Sequence, residues 1–585
     1  MTPAFTTRPT LKGRHGMAAA THWLATGTAQ SVLERGGNAF DAAVAGCFVL
    51  HVAEPHLNGP GGDLVGLVAP RGRDPRVLAG QGPAPARASI AHLRSLGLTS
   101  VPGAGGLAAA VPGAVPALLM LLRDHGSWEF ADVVGYAIDY AHAGVPVDRR
   151  WADILATVEP LFREHWPSSY ELWMPSGRVP RAGETVTNPV WAATLERLVK
   201  ESRRGRSRAE RLDAVLVAWR EGFVARGVTA TLARPHRHAD GGDHAGVLTM
   251  ADFAAFRPTW ERPLTYPFRG VDVVKPPAWG SGPVLLQALA LLSGFPDAEL
   301  DPSTVAGVHN VTEAFKLAFA DREGHYGETA RIEPLLADDY LARRRALIGP
   351  AASLEWRPGG DLPYVPELRT PDGADRAGVG EPTVRASGET RGDTCHIDVV
   401  DADGNIASLT PSGGWLQSSP AVPELGFCAG TRLQMTWLDE GAPAALRPGR
   451  RPRTTLSPTM LVRDGEVVEA LGTPGGDQQD QWQLPYVLRR LIGGYGPQRA
   501  IDAPVFHTTH VPSSFWPRTW EPGGLVVEER LGDEVVAGLR RRGHIVTVSG
   551  PWSLGRLSAV GRDPATGELS AAANPRGGLG YAAGR

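Results

Sequence analysis

The stretch that decides the reading of this chain is Gly392-Asp393-Thr394-Cys395-His396-Ile397-Asp398-Val399-Val400-Asp401-Ala402-Asp403-Gly404-Asn405-Ile406. Cys395, Ile397 and Val399 alternate with His396 and Asp398, which is the period of a half-buried strand. Asp403-Gly404 then supplies a tight turn into a second strand over Ile406–Thr410. Thr394 stands where irregular chain runs into the first strand, and two readings compete for it. Threonine has good β propensity, so it suits the start of a strand. Alternatively, a cut before Thr394 would leave a free α-amine, with pKa about 7.7, beside its own hydroxyl, where it serves as general base without a histidine.

Working outward, residues 350–393 lose all periodicity in Gly, Pro and charge. A stretch that long without a pattern is functional or mobile rather than an ordinary connection, and it marks the main boundary. Upstream the chain reads mostly helical. Val308, Val311, Phe315 and Ala318 form a stripe within Val305–Ala320; Ala114–Arg123 and Trp128–His142 look similar. A helix from about Ala25 ends at Gly36-Gly37-Asn38, and Asp41 is expected to cap the next. Downstream, hairpin signals recur at 463–466 and 563–568, with helical stretches at Gln481–Leu491 and Asp533–Arg542. Helices first and hairpins later, without βαβ alternation, predict an α+β fold with antiparallel sheets.

Composition excludes several function classes. With 585 residues and net charge −3, the chain carries no basic footprint for nucleic acid or an anionic membrane. Its three cysteines, Cys47, Cys395 and Cys428, make no disulfide scaffold and no zinc spacing. No cofactor is implied. The cluster His236, His238, Asp240, Asp243 and His244 reads as a solvated polar loop, so no metal site is assigned. No apolar run of about 18 residues and no leader-like start are present, which predicts a cytoplasmic protein. The 71 Gly and 50 Pro residues call for many turns.

Two further segments bear on chemistry. Leu471-Gly472-Thr473-Pro474-Gly475-Gly476-Asp477 puts two side-chain-free amides where they can donate to an oxyanion, or simply makes a turn. Arg453-Thr454-Thr455-Leu456-Ser457-Pro458-Thr459 is a hydroxyl cluster suited to a substrate carboxylate or to capping a loop.

Together these segments resemble the gamma-glutamyltransferase (gamma-glutamyl transpeptidase) family of N-terminal-nucleophile hydrolases. The likeness extends through Gly36–Ala45, Glu54–Gly62, Val111–Val115, Leu248–Phe253, the loop after Lys275, Glu313–Arg322 and Thr394–Asn405, in family order. The resemblance implies an αββα four-layer sandwich made as a precursor and self-cleaved at Asp393–Thr394. A large chain 1–393, ending in a mobile linker from about 350, and a small chain 394–585 would stay together as a heterodimer. Thr394 would be nucleophile, Ser412 the assisting hydroxyl, and Gly475 and Gly476 the oxyanion hole. Thr454 and Thr455 match paired serines that hold the glutamyl carboxylate.

Three positions depart from the family pattern. Gln81 replaces the arginine that pairs with the substrate carboxylate, a loss of about 1–2 kcal/mol; Arg87 lies six residues on. Gly414 replaces an asparagine, and Trp437, three residues past Gln434, replaces an acidic residue. With Trp415, Trp437 predicts either a more apolar pocket or two core aromatics. Cys395 reads as a small buried residue rather than a thiol catalyst. The expected activity is acyl transfer from a small-molecule amide or gamma-glutamyl substrate to an amine or water. The alternatives are a relative acting on cephalosporin-type amides or on a C–C bond in secondary metabolism, and an uncleaved, non-catalytic binding protein.

Overall fold

The computed structural model describes residues 5–361, 363–371, 384–387 and 393–585. Two seven-stranded sheets lie face to face. One runs in the order Leu11–Gly13, Leu569–Ala573, Ser558–Arg562, Glu466–Gly472, Thr459–Arg463, Val271–Lys275, Leu264–Phe268. The other runs Tyr581–Gly584, Gly16–Ala20, Ile397–Asp401, Ile406–Ser412, Asp63–Ala69, Arg76–Gly80, Thr259–Glu261. Neighbouring strands in both sheets pair antiparallel.

The strand period of two sorts side chains into layers. Met17, Ala19, Val65, Val400, Met460, Val560 and Ala571 fill the space between the sheets. Ala18, Ala20, Leu64, Ile397, Val399 and Leu409 face outward, against helices that include Ala39–Ala53 and Phe130–Ala143. The other sheet turns Val273, Leu461, Leu471 and Ala559 toward the helices Pro283–Leu292, Val305–His325 and Gln479–Leu491. The result is the αββα sandwich.

The three expected hairpins form at Asp403-Gly404, Asp464-Gly465 and 563–568. Other expectations need correcting. The Ile397–Asp401 strand is buried on both faces, because a central strand of a four-layer sandwich has no solvent side; His396 and Asp398 are fully buried. Asn38, not Asp41, caps the second helix, and Asp41 completes the capping box from within its first turn. Gly524–Glu528, helix Asp533–Arg541 and Ile545–Ser549 form one βαβ unit, with the two strands parallel, in a small third sheet.

Of the 350–393 stretch, residues 362, 372–383 and 388–392 lie outside the described residues. The part that is described is tied to the body. Ala352 donates its amide to the Arg542 carbonyl, Arg357 pairs with Glu313 at 3.0 Å, and Trp356 packs against His510 and Trp520. Among the described residues no helix is long and apolar enough to cross a membrane.

Candidate active site

Thr394 lies three residues before the strand Ile397–Asp401 and is bridged across to Ser412, the last residue of the partner strand. Both residues, and Asp393, are 1% exposed. The Ser412 hydroxyl donates to the Asp393 carbonyl oxygen at 2.7 Å, and Ser412 Oγ lies 3.1 Å from Thr394 Oγ1. A serine has one proton to give. With that proton on the Asp393 carbonyl, the hydrogen bond between the hydroxyls must be donated by Thr394. The Trp415 indole N–H reaches the same carbonyl at 2.9 Å while also reaching the Leu57 carbonyl at 2.8 Å. Arg150 pairs with the Asp393 carboxylate at 2.6 Å and lines a cavity of about 480 Å³ with His56, Asp148 and Arg556.

The strand around the nucleophile is anchored by buried polar contacts. His396 lies 2.9 Å from both the Thr410 hydroxyl and Asp398, whose carboxylate also accepts from Ser408 and Ser558 at 2.7 Å. Cys395 is buried; its thiol donates to Glu54 at 3.1 Å, and burial together with that carboxylate pushes the thiol pKa well up. A thiol so protonated is a poor nucleophile.

After Ser412 the chain turns through Gly413 and Gly414, at φ 69° and 63°. A Cβ on Gly414 would sit 2.7 Å from the Gly62 nitrogen, so no asparagine fits there without backbone movement. This turn presents Trp415, which packs with Met435 and Phe515.

Gly475 has φ 125° and lies against the Trp482 ring, where a Cβ would come within 2.3 Å. Among the described residues neither its amide hydrogen nor that of Gly476 is taken up by another group. Asp477 follows directly and opens a buried charge cluster. It pairs with Arg322; Glu323 pairs with Arg322 at 2.9 Å and with Arg453 at 2.6 Å. Arg518, 4% exposed, donates to the Gln434 carbonyl at 3.1 Å and lies 3.9 Å over the Trp437 ring.

Two of the expected substrate residues, Trp437 and Gln434, touch this cluster directly. Trp437 donates to Glu323 at 3.2 Å, and Gln434 accepts from the Trp516 amide. Gln81 donates to the Pro452 carbonyl at 2.5 Å, next to Arg453, and its own Oε1 is buried without a partner. The Thr455 hydroxyl is likewise buried and unpartnered, whereas Thr454 Oγ1 accepts from the Leu456 amide at 3.3 Å. Arg87 is exposed and does not replace the missing arginine.

Of the two readings, Trp415 follows the core one, buried against Met435 and Phe515, while Trp437 borders a buried charge cluster that no sequence motif signalled. Three guanidinium groups, Arg322, Arg453 and Arg518, face two carboxylates, Glu323 and Asp477. Burial disfavours the ionised Glu323, but Arg453, Arg322 and Arg518 outweigh it and hold the carboxyl below its usual range. Burial, and then Arg453, pull Arg518 down to about 9. Arg518 Nη1 and Arg453 Nε have no hydrogen-bond partner. A cavity of about 270 Å³ adjoins Arg453, with Arg447, Arg450, Arg451 and Glu328 in its wall.

The His236 cluster also departs from expectation. His236 and His238 are buried, and each accepts a backbone amide, from Gly106 at 2.8 Å and from Leu107 at 2.9 Å. They brace a loop rather than lying in solvent. His244 pairs with Asp240 at 2.9 Å.

A sequence profile of the family Gamma-glutamyltranspeptidase matches residues 25–584. A solved structure described as LmbA2991T421A shares 51% identity at a TM-score of 0.95, covering 99% of this chain and 100% of that one. The cephalosporin acylase from Bacillus halodurans shares 28% identity at a TM-score of 0.83, covering 100% and 98% of the two chains. An oxamate amidohydrolase proenzyme of Klebsiella pneumoniae is 29% identical, over 96% of this chain and 97% of its own.

Proposed function

Since this chain belongs to the gamma-glutamyltranspeptidase family, we propose that it is a precursor cleaved at Asp393–Thr394, with Thr394 as the nucleophile of an acyl transferase or hydrolase. The observation that carries this reading is the chain of contacts from the Thr394 hydroxyl to Ser412 and on to the Asp393 carbonyl, all buried. Cleavage releases the Thr394 α-amine, which takes the hydroxyl proton as Thr394 attacks the substrate carbonyl. The amides of Gly475 and Gly476 hold the oxyanion, an amine or amide nitrogen leaves, and water or an acceptor amine resolves the acyl-enzyme. Chains 1–393 and 394–585 remain one heterodimer, in the cytoplasm.

The excess of buried guanidinium over carboxylate supports a substrate class. A buried cation without a full set of partners is costly, and an incoming anion relieves that cost. The acyl donor is an amide bearing a carboxylate, held by Arg518 and Arg453 with Gln81 and Thr455 as neutral partners. Oxamate, for which one relative is named, carries such a carboxylate. Gamma-glutamyl recognition through a dedicated arginine at position 81 is lost.

The test is a turnover panel: a chromogenic gamma-glutamyl anilide, carboxylate-bearing non-glutamyl anilides, and matched neutral anilides. Thr394-dependent turnover fastest on a carboxylate-bearing non-glutamyl donor is the expected result. Equal turnover of the neutral amides would contradict the substrate class, and turnover by Thr394→Ala would contradict the nucleophile.

A further inference from the structure

The scissile carbonyl is held in the uncleaved chain by a donor outside the machinery assigned above. Two hydrogen bonds reach the Asp393 carbonyl oxygen, 2.7 Å from Ser412 Oγ and 2.9 Å from Trp415 Nε1. They fill both of its lone pairs. Donors within about 2.7–3.1 Å of an oxygen that becomes negative, already buried and fixed, are the geometry of an oxyanion hole. We propose that Trp415 is a catalytic residue of self-cleavage, its indole N–H stabilising the oxyanion formed at Asp393. This rests on the reading of Asp393–Thr394 as the bond that is cut.

The proton arrangement supports the step. Thr394 Oγ1 adds to the Asp393 carbonyl carbon, closing a five-membered ring. Its proton passes to Ser412 Oγ, whose own proton moves toward the carbonyl oxygen. Trp415 donates to that oxygen throughout. The C–N bond then breaks, the proton goes to the Thr394 nitrogen, and Asp393 is left as an ester on Thr394 Oγ1. One water hydrolyses the ester, giving the Asp393 carboxylate and a free Thr394 with both hydroxyl and amine. No other reactant is consumed.

The second acceptor of Trp415 explains how one indole serves before and after the cut. In the uncleaved chain its N–H is shared between the neutral carbonyls of Leu57 and Asp393. As charge builds on the Asp393 oxygen the shared proton is drawn to it, because a charged acceptor makes the stronger bond. When Asp393 departs, the N–H keeps Leu57 and is never left unpaired in the interior. The ring is fixed for this role. Phe515 lies against it with centroids 6.2 Å apart, and the Trp415 carbonyl accepts from the Cys428 thiol at 2.7 Å and from the Ser418 amide. Arg150 holds the Asp393 carboxylate and so orients the same peptide.

The experiment follows conversion of newly translated full-length chain to two fragments on a denaturing gel. Wild type is compared with Trp415→Phe and with a chain carrying 3-benzothienylalanine at 415, which keeps the bicyclic shape but has sulfur in place of N–H. Both variants are expected to cleave about 100-fold more slowly, and the benzothienyl chain to melt within a degree or so of an uncleavable Thr394→Ala reference. If Trp415→Phe fails to fold, the benzothienyl chain alone decides. Wild-type cleavage by that chain would overturn the role of Trp415. Fragments from Thr394→Ala would instead overturn the cleavage reading beneath it, so the two failures are distinct.

Discussion

A threonine hydroxyl is a weak nucleophile at neutral pH, and at Thr394 the remedy is positional: a hydroxyl neighbour before the cut and an α-amine after it. Thr394→Ala is expected to stay a single 62.1 kDa chain without turnover, on a gel and in the anilide assay. The amine accepts a proton only when neutral, so kcat/KM should be low in acid and rise through one ionisation near the ordinary α-amine value of about 7.7. A pH–rate profile that falls over that range would contradict the amine as base. Arg518→Met removes a poorly partnered buried cation. It should lower kcat/KM for carboxylate-bearing amides by about 10- to 100-fold with little change for neutral ones, and leave the Tm no lower than wild type. At this scale the sequence was half readable. The junction of aperiodic and alternating chain marks Thr394 as either a strand start or a nucleophile, and only the family resemblance separates the two. Arg518 belongs to no motif, and its partner, the Gln434 carbonyl, lies 84 residues away, a separation that no local pattern encodes.

At the level of elements, the hairpins were legible because Asp-Gly turns carry their own backbone signal. The strand Asp63–Ala69 was not. It is buried on both faces, so it shows no alternation and reads like a stretch of buried helix. The turn through Gly413 and Gly414 could be seen only as Gly-Gly; what it carries, Trp415 against the Asp393 carbonyl, is a contact across 22 residues. Gly414→Ala tests that turn. Left-handed φ plus a Cβ 2.7 Å from the Gly62 nitrogen should destabilise the protein by about 1–3 kcal/mol, read as a lower denaturant midpoint. Self-cleavage should slow with it, because the strain falls on the segment that aims the indole.

Across the whole molecule, both large sheets are woven from the two sides of the proposed cut. Ile397–Asp401 pairs with Gly16–Ala20, Ile406–Ser412 with Asp63–Ala69, and Thr459–Arg463 with Val271–Lys275. The C-terminal Tyr581–Gly584 closes the edge on Gly16–Ala20. Cleavage at one peptide bond breaks none of these ladders, so the processed chains should co-elute as one particle in size-exclusion chromatography and part only in denaturant. The layered architecture follows from patterns along the chain, whereas this interleaving is visible only in space. Thr394 acquires a free α-amine only if the small chain begins there. Intact-mass and N-terminal analysis of purified protein should give two chains of about 42 and 20 kDa, from 62.1 kDa shared by length between 1–393 and 394–585, the smaller starting Thr-Cys-His. A fully active protein that remains one 62.1 kDa chain, or a small chain starting elsewhere, would contradict cleavage before Thr394.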